Sequence, residues 1–537
     1  MKFKKLLSIG LAASLLLGVV ACNTDSGTKP TDGDKPATSD SGEQGGDKTE
    51  PVNISLFVPS RLPEAIYNSD TMTFKALAEK LNIKFDIDSV VQSEANEYLT
   101  TSLSAGEYPD VVASNLSVIN EYGLLGAFDK LDSYLSAEKT PNINKHLLEN
   151  QVVYAQTAAS DGSLYGIPMQ SAIRTAMGYL IRQDWLDKLD LKVPETIDDW
   201  YNVLTAFKTN DLNGEGAGAV TPLVLDRAWE NYYYNFADAW GIELNPNNDF
   251  WLARDGKMEY APLLPEAKEF ITTMAKWYKE GLIDQDFVTR EDTNNFHILN
   301  NTAGATVYWT GYVAGMNNNE EVKANDPNTN WQVVNPPVLK AGQEPKTYSQ
   351  QAEVVPFAWG INVKTDAAVK DKIVEMFDYV YSDEGSLLFN FGIEGESYEI
   401  KDGKPVYTEK VTGGEGSTTY IRTNGMQALI GMRQMPEYEA ASTPDEGVRK
   451  QLFFYDDNDL FFPFNPSVPL NQDEKSTYEE KMGAIKTKVD EDLLKFVIGT
   501  RDIAEYDNFV KEVQDLGIQE LIDIKQAAYD RYSSVGK

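Results

Sequence analysis

Cysteine is nearly absent: Cys22 is the only one in 537 residues, so no disulfide forms within the chain. Histidine is almost as scarce. His146 and His297 stand too far apart in sequence for a local metal motif, and no HExxH, GxSxG or P-loop pattern occurs. Gly214, Gly216 and Gly218 cluster, but their spacing and flanks are wrong for a dinucleotide fingerprint. Positive charge is in short supply as well. There are 48 Lys and Arg against 83 Asp and Glu, a net charge of −35, with no basic run. Such a surface repels nucleic acid and anionic headgroups, so no nucleic-acid partner is expected. The abundance of acids makes any carboxylate pair nominated for glycoside hydrolysis arbitrary. No internal repeat of short period is present. These absences argue against an enzyme.

What is present begins at the amino terminus. Lys2, Lys4 and Lys5 precede an apolar stretch over 6–20, too short to cross a bilayer as a helix but of the length of a signal segment. It is the chain's longest apolar stretch, and none of spanning length follows. It ends Val19-Val20-Ala21-Cys22, which resembles the bacterial lipobox, where a peptidase cuts before a cysteine carrying diacylglycerol. Two buried acyl chains give stable anchoring. An ordinary secretory signal with a chance cysteine is the other reading, and the placing of the lone cysteine favours lipidation. Residues 1–21 are then a signal peptide, and the Gly, Ser, Thr, Asp and Pro-rich stretch that follows, 22–51, is a tether too polar to fold.

The remainder is 42% hydrophobic and 11% aromatic by the composition of the whole chain, enough for a large core and two or more domains. Residues 52–58 alternate as a strand. Phe74, Leu77, Ala78 and Leu81 share one helix face, and Ile83, Phe85 and Ile87 alternate again. A helix over 96–103 and a strand opening at 110–113 complete a strand–helix pattern that predicts an α/β fold with a parallel sheet. A second α/β region has strands over 175–181 and 303–309. Its helices start at Thr196, with Asp199 favouring that start, and run from Pro265 to Gly281. The pattern is helical over 370–391, and the last fifty or so residues are helix-rich.

Two groups of residues suggest binding. Asp211, Asn213 and Glu215 place oxygens at positions 1, 3 and 5 of a Gly-rich turn, as at the start of a calcium loop, but position 12 is Pro222 where a closing Glu is needed. A polar turn is the favoured reading. Aromatic residues crowd 229–251, with Trp229, Tyr232, Tyr233, Tyr234, Trp240 and Trp251. Trp309 and Tyr312 form another group, and Trp359 stands apart. Aromatic faces suit the apolar faces of sugar rings, while Asn, Asp, Arg and Gln bond the hydroxyls. A core role is the competing reading for each tryptophan.

Several long motifs in a fixed order carry a resemblance. They are EYLTTSLSAGEYPDVV (97–112), DGSLYGIP (161–168), IRQDWLDKLDLKVPETIDDWYNVLTAFK (181–208), WYKEGLIDQDF (277–287), YSDEGSLLFNFGIEGESYEIKDGKPVYT (381–408) and the segment 495–532. Nearly all of residues 52–532 resembles the family 1 extracellular solute-binding proteins, lipoprotein receptors of carbohydrate ABC importers, in their larger Gram-positive subgroup. The resemblance implies an α/β, two-lobed periplasmic-binding-protein-like fold of type II, with a hinge and an interlobe cleft. The N-terminal lobe would be 52–170 plus 355–430, and the C-terminal lobe 171–354 plus 431–537. It implies a monomer on the outer face of the membrane that takes an oligosaccharide and delivers it to permease subunits. It implies sugar contacts from Trp309, with Trp229, Tyr232, Trp359 and Tyr312 as further aromatic candidates and Arg174 and Asn115 as hydrogen-bonding ones. Relatives bind calcium in a comparable loop, but Ala219 and Val220 stand where its acidic pair would be, so no cofactor is expected.

Overall fold

Val52, Ile54 and Leu56 alternate with polar residues, and the strand they predict forms over Val52–Phe57 with Ile54, Leu56 and Phe57 fully buried. The structure is a computed structural model that describes residues 50–63, 65–171, 177–225, 232–289, 293–348, 353–413, 417–443 and 445–534. Residues 51–537 make one compact unit. Cys22 and the lipobox lie outside the described residues.

The strands, in chain order, are β1 (Val52–Phe57), β2 (Ile83–Asp88), β3 (Val111–Asn115), β4 (Gly166–Gln170), β5 (Met177–Arg182) and β6 (Thr221–Val224). They continue with β7 (Trp251–Arg254), β8 (Lys257–Tyr260), β9 (Ala303–Trp309), β10 (Trp331–Val334), β11 (Val354–Ile361), β12 (Tyr398–Lys401) and β13 (Lys404–Tyr407). One sheet has the order β2-β1-β3-β11-β4 and another β10-β5-β9-β6. Two hairpins, β7-β8 and β12-β13, complete the set.

Each main sheet has its own core. Leu56, Phe74, Val111, Ile119, Trp359 and Phe377 belong to the first. Tyr179, Trp185, Trp200, Phe207, Trp277 and Val307 belong to the second, which the C-terminal helices extend with Leu493, Phe496 and Phe509. The molecule is thus an α/β structure of two lobes. A small satellite core around Phe391, Tyr407 and Ile421 sits on the β12-β13 hairpin.

The sheets are mixed rather than parallel. β1, β2 and β3 run parallel, as strand–helix–strand connections require, but β11 is antiparallel to both of its neighbours, β3 and β4. In the second sheet β5 is antiparallel to β9 and β10, whereas β6 is parallel to β9. The cause is the same in both. Each odd strand is the first its sheet receives after the chain crosses from the other lobe, so it starts at the edge where the others finish.

Helix boundaries follow local chemistry. Thr196 and Asp199 make a reciprocal capping box at the helix Ile197–Thr209. The helical stretch read over 370–391 is two helices, Ala367–Tyr381 and Asp383–Phe391. Ser382 breaks it, its side chain accepting from the Gly385 N–H at 3.1 Å. A Cβ on Gly385 would lie 2.0 Å from the Tyr379 carbonyl oxygen, so the corner needs glycine.

Two carboxyls, the buried Asp238 and the half-buried Glu243, give the second lobe a pH dependence. Burial pushes Asp238 up to about 8 and Glu243 up to about 7. In the unfolded chain both release their protons near pH 4. The folded state therefore holds extra protons between these limits, and stability falls as pH rises through the window. His146, lowered to about 4 by burial, acts in the opposite sense only below its usual value, and Lys525, lowered to about 8 by burial, only above pH 8. Between pH 6.5 and 8 the unfolding free energy is expected to drop by about 1–2 kcal/mol. Asp238→Asn should flatten that slope in urea titrations run at each pH, and an unchanged slope would remove Asp238 as its source.

Candidate functional site

The register of the two sheets places one edge of each at the crossing. Asn115 ends β3 opposite Phe357, and Gln170 ends β4 opposite Val354, so both strands finish where β11 begins. The chain then passes from Gln170 to Met177, which pairs with Trp309 at the end of β9. Six residues therefore separate the edge carrying Asn115 from the edge carrying Trp309. In open α/β sheets ligands bind outside the carboxyl ends of the strands, which is this region.

Trp309 is 42% exposed, while the other seven described tryptophans are buried at 9% or less. An indole left in water at a strand end is informative in a way that a buried one is not. Tyr312 is 41% exposed, and its ring lies 4.9 Å from that of Tyr308. The turn beneath them is held by the Thr310 hydroxyl, which donates to the Leu452 carbonyl at 3.2 Å. Asn115 precedes the helix Leu116–Leu124 without capping it through its side chain, which leaves its amide open for a ligand.

Trp359 is not a cleft residue. It is fully buried within the first sheet and stacks on Phe377 at 5.0 Å, because the helix Ala367–Tyr381 covers that face of β11. Tyr233, Tyr234, Trp240 and Trp251 are core residues of the second lobe. Trp229 and Arg174 lie outside the described residues. Tyr232 begins the 3-10 segment Tyr232–Trp240, and its side chain lies outside them as well.

A cavity of about 510 Å³ opens next to Asn115. One wall is Leu116, Ser117, Asn120 and Leu124 with Ala155 and Gln156, and the opposite wall comes from the segment 464–475. Asn120 donates to the Thr157 carbonyl at 3.0 Å, and Gln156 accepts from the Val354 N–H at 3.0 Å. Their other amide atoms, Asn120 Oδ1 and Gln156 Nε2, are buried without partners. An ion pair between Lys475 and Glu121, 3.1 Å long, joins the two walls. Sequence reasoning missed this cavity. The one local signal is Asn120 itself, a polar residue beside the buried Leu116 and Ile119 on its helix.

The loop at Asp211 is a polar turn closed by its own side chains. Asp211 Oδ1 accepts from the Gly214 N–H at 2.8 Å, and Asn213 Oδ1 accepts from the Glu215 N–H at 3.1 Å. The Lys188 ammonium lies 2.9 Å from the Asp211 carbonyl oxygen and 3.3 Å from that of Leu212, where its charge opposes a cation. Among the described residues no three His, Cys, Asp or Glu side chains converge as metal ligands.

A profile described as bacterial extracellular solute-binding protein matches residues 73–381, more than half of the chain. The chain belongs to this family. Extracellular solute-binding proteins similar to it include the polygalacturonan/rhamnogalacturonan-binding protein YtcQ of Bacillus subtilis, 25% identical over 85% of this chain and 87% of that protein. The fructooligosaccharide ABC transporter substrate-binding protein FusA of Streptococcus pneumoniae is 24% identical over 82% of this chain and 84% of its own. Among solved structures, the alginate-binding protein AlgQ2 superposes with a TM-score of 0.67, at 24% identity, over 90% of this chain and 98% of its own. That likeness shows the shared two-lobed fold. The family is one of binding proteins.

Proposed function

We propose that this extracellular solute-binding protein captures an oligosaccharide between its lobes and delivers it to an ABC permease. The observation that carries the reading is Trp309, the one exposed tryptophan among the described residues, standing at the edge where the chain crosses between sheets. Tyr312 and Asn115 join it, and Trp229, Tyr232 and Arg174 remain candidates from the sequence. YtcQ and FusA, named for polygalacturonan/rhamnogalacturonan and for fructooligosaccharides, support a sugar. The lobes are 52–170 with 355–430 and 171–354 with 431–537. Sugar bound to both favours their closed arrangement, since a ligand shifts a conformational equilibrium toward the state it contacts most. The protein acts as a monomer and transforms nothing. Diacylglycerol on Cys22, left after removal of residues 1–21, holds it on the outer face of the membrane, and the tether 22–51 keeps its concentration high beside the permease.

Thermal-shift screening against neutral and acidic oligosaccharides, peptides and amino acids tests this. A ligand present at about 100 times its Kd stabilises the folded state by about 2.7 kcal/mol, a shift of several degrees. An oligosaccharide hit recovered intact after incubation is the expected result. A peptide or amino-acid hit with no sugar hit would replace the reading, and cleavage of the sugar would reveal an enzyme.

A further inference from the structure

The cavity beside Asn120 continues at both ends. A hollow of about 200 Å³ shares Phe464 and Ser467 with it, and another of about 200 Å³ shares Ala155, Ala158, Ala159, Ser160 and Pro469. Shared walls make the three hollows one trough along the segment 464–470. That segment is fastened to the β7-β8 hairpin of the second lobe. Asn465 Oδ1 accepts from the Ala253 N–H at 2.8 Å, and Asn465 Nδ2 donates to the Trp251 carbonyl at 2.7 Å. The facing wall carries Leu116 and Val354, which belong to the core of the first sheet. The trough thus runs between the lobes, and its large chamber starts at Leu116, the residue after Asn115.

The chambers differ in chemistry. Twelve of the twenty described residues around the large one are aliphatic, proline or phenylalanine, and none is tryptophan or tyrosine. Of the eight polar ones, Asn120 and Gln156 are tied to backbone groups and Glu121 and Lys475 to each other. Three serines and Gln472 are left to meet a ligand. Leu124 and Leu125, 42% and 63% exposed, form an aliphatic lip. Adjacent leucines left in water beside a cavity mark a surface that waits for an apolar group. The end chambers are polar. Glu243, Asn245, Asn247 and Tyr348 line one, and Asp161, Arg531 and Tyr532 line the other. Carboxylate, amide, phenol and guanidinium groups are partners for hydroxyls. A hydroxyl enclosed by aliphatic walls without a partner costs free energy, so bare sugar units suit the ends of the trough and not its middle.

We propose that the large chamber is a subsite for an apolar acyl group, and that the oligosaccharide captured by this protein is esterified. The acyl group lodges between Leu124 and Leu470, and sugar units reach the polar chambers on either side. The proposal rests on the reading of the chain as an oligosaccharide receptor and specifies a substituent that the sugar carries.

Calorimetric titration of the full mature protein with acetylated and feruloylated xylo-oligosaccharides and acetylated manno-oligosaccharides, each beside its alkali-treated, ester-free form, tests the proposal. At least one ester is expected to bind about tenfold or more tightly than its ester-free form, since each buried methyl or methylene contributes about fourfold. Leu124→Gln sets an amide at the lip, and Ser117→Trp, from an exposed position, fills the chamber. Each is expected to lower the ratio of ester to ester-free affinity by about threefold or more. Leu124→Gln carries the test where Ser117→Trp does not fold. Equal binding of the two forms, or an ester preference that survives both substitutions, would overturn the subsite. Binding of ester-free oligosaccharides alone would overturn it and leave the receptor reading standing. Decanoate binding with no carbohydrate bound would replace both readings with a free amphiphile, and failure of every carbohydrate would remove both.

Discussion

Arg182→Ala is expected to cost about 3–5 kcal/mol of folding stability, the largest loss from any single change considered. Arg182 is 1% exposed at the end of β5 remote from the crossing. It donates to both carboxylate oxygens of Asp184, at 2.8 and 2.6 Å, to Asp326 Oδ2 at 3.0 Å and to Asn301 Oδ1 at 2.6 Å. Its guanidinium lies 4.4 Å from the centre of the Trp185 ring. Alanine would leave two carboxylates facing each other without a counter-charge and one face of Trp185 bare. Chemical denaturation measures the loss, and a change below about 1 kcal/mol would mean that water replaces the arginine without penalty. Ligand affinity should be unaffected in the fraction that remains folded, because Arg182 lies at the end of β5 opposite the one that pairs with Trp309.

Trp309→Ala is expected to do the reverse. An exposed indole contributes little to folding, so stability should stay within about 0.5 kcal/mol of the parent. An aromatic platform under a sugar ring behaves as a binding hot spot, and truncating one costs about 2 kcal/mol or more, roughly thirtyfold in Kd. Trp309→Phe keeps an apolar ring and should recover part of the loss. Calorimetry with the oligosaccharide found by screening reads both variants. Unchanged affinity for Trp309→Ala would take the residue out of the site and move the ligand toward the cavity beside Asn120 and Gln156.

Much of the scaffold was legible because its determinants are local. In IRQDWL the arginine, aspartate and tryptophan meet one another within four residues, which gives that motif a structural cause. In GEYPDVV, Asp110 accepts from the Ser55 N–H at 2.9 Å, from the Ser55 hydroxyl at 2.6 Å and from the Thr365 hydroxyl at 2.9 Å, tying β1 and β3 to the turn after β11. In DGSLYGIP, Asp161 takes the Lys130 ammonium at 2.8 Å, the Tyr165 hydroxyl at 3.0 Å and the Ser163 N–H at 3.0 Å. These motifs identify the family through its frame and say little about ligand.

The candidate site was harder to read because exposure is a tertiary property. Trp309 and Trp359 both sit in strands with aromatic or apolar neighbours. One ends its strand at an open edge, and the other lies under a helix that arrives from the next stretch of chain. Asn120, Gln156 and the segment 464–475 form a cavity only after two distant pieces of chain are brought together. The parallel sheet predicted from strand–helix order holds for strands joined by helices, and it fails at β5 and β11, whose direction is set by the crossing.

That reversal has a mechanical side. β11 lies between β3 and β4, and β5 between β10 and β9, so each incoming strand is gripped along both flanks. Tension carried along a crossing is met by two ladders of hydrogen bonds loaded lengthwise, which must all give way together. A strand at a border would instead peel from one end, one bond at a time. Each crossing leaves from a border strand, β4 or β10, and arrives at a strand held on both flanks, β5 or β11, so yielding under load begins on the departing side.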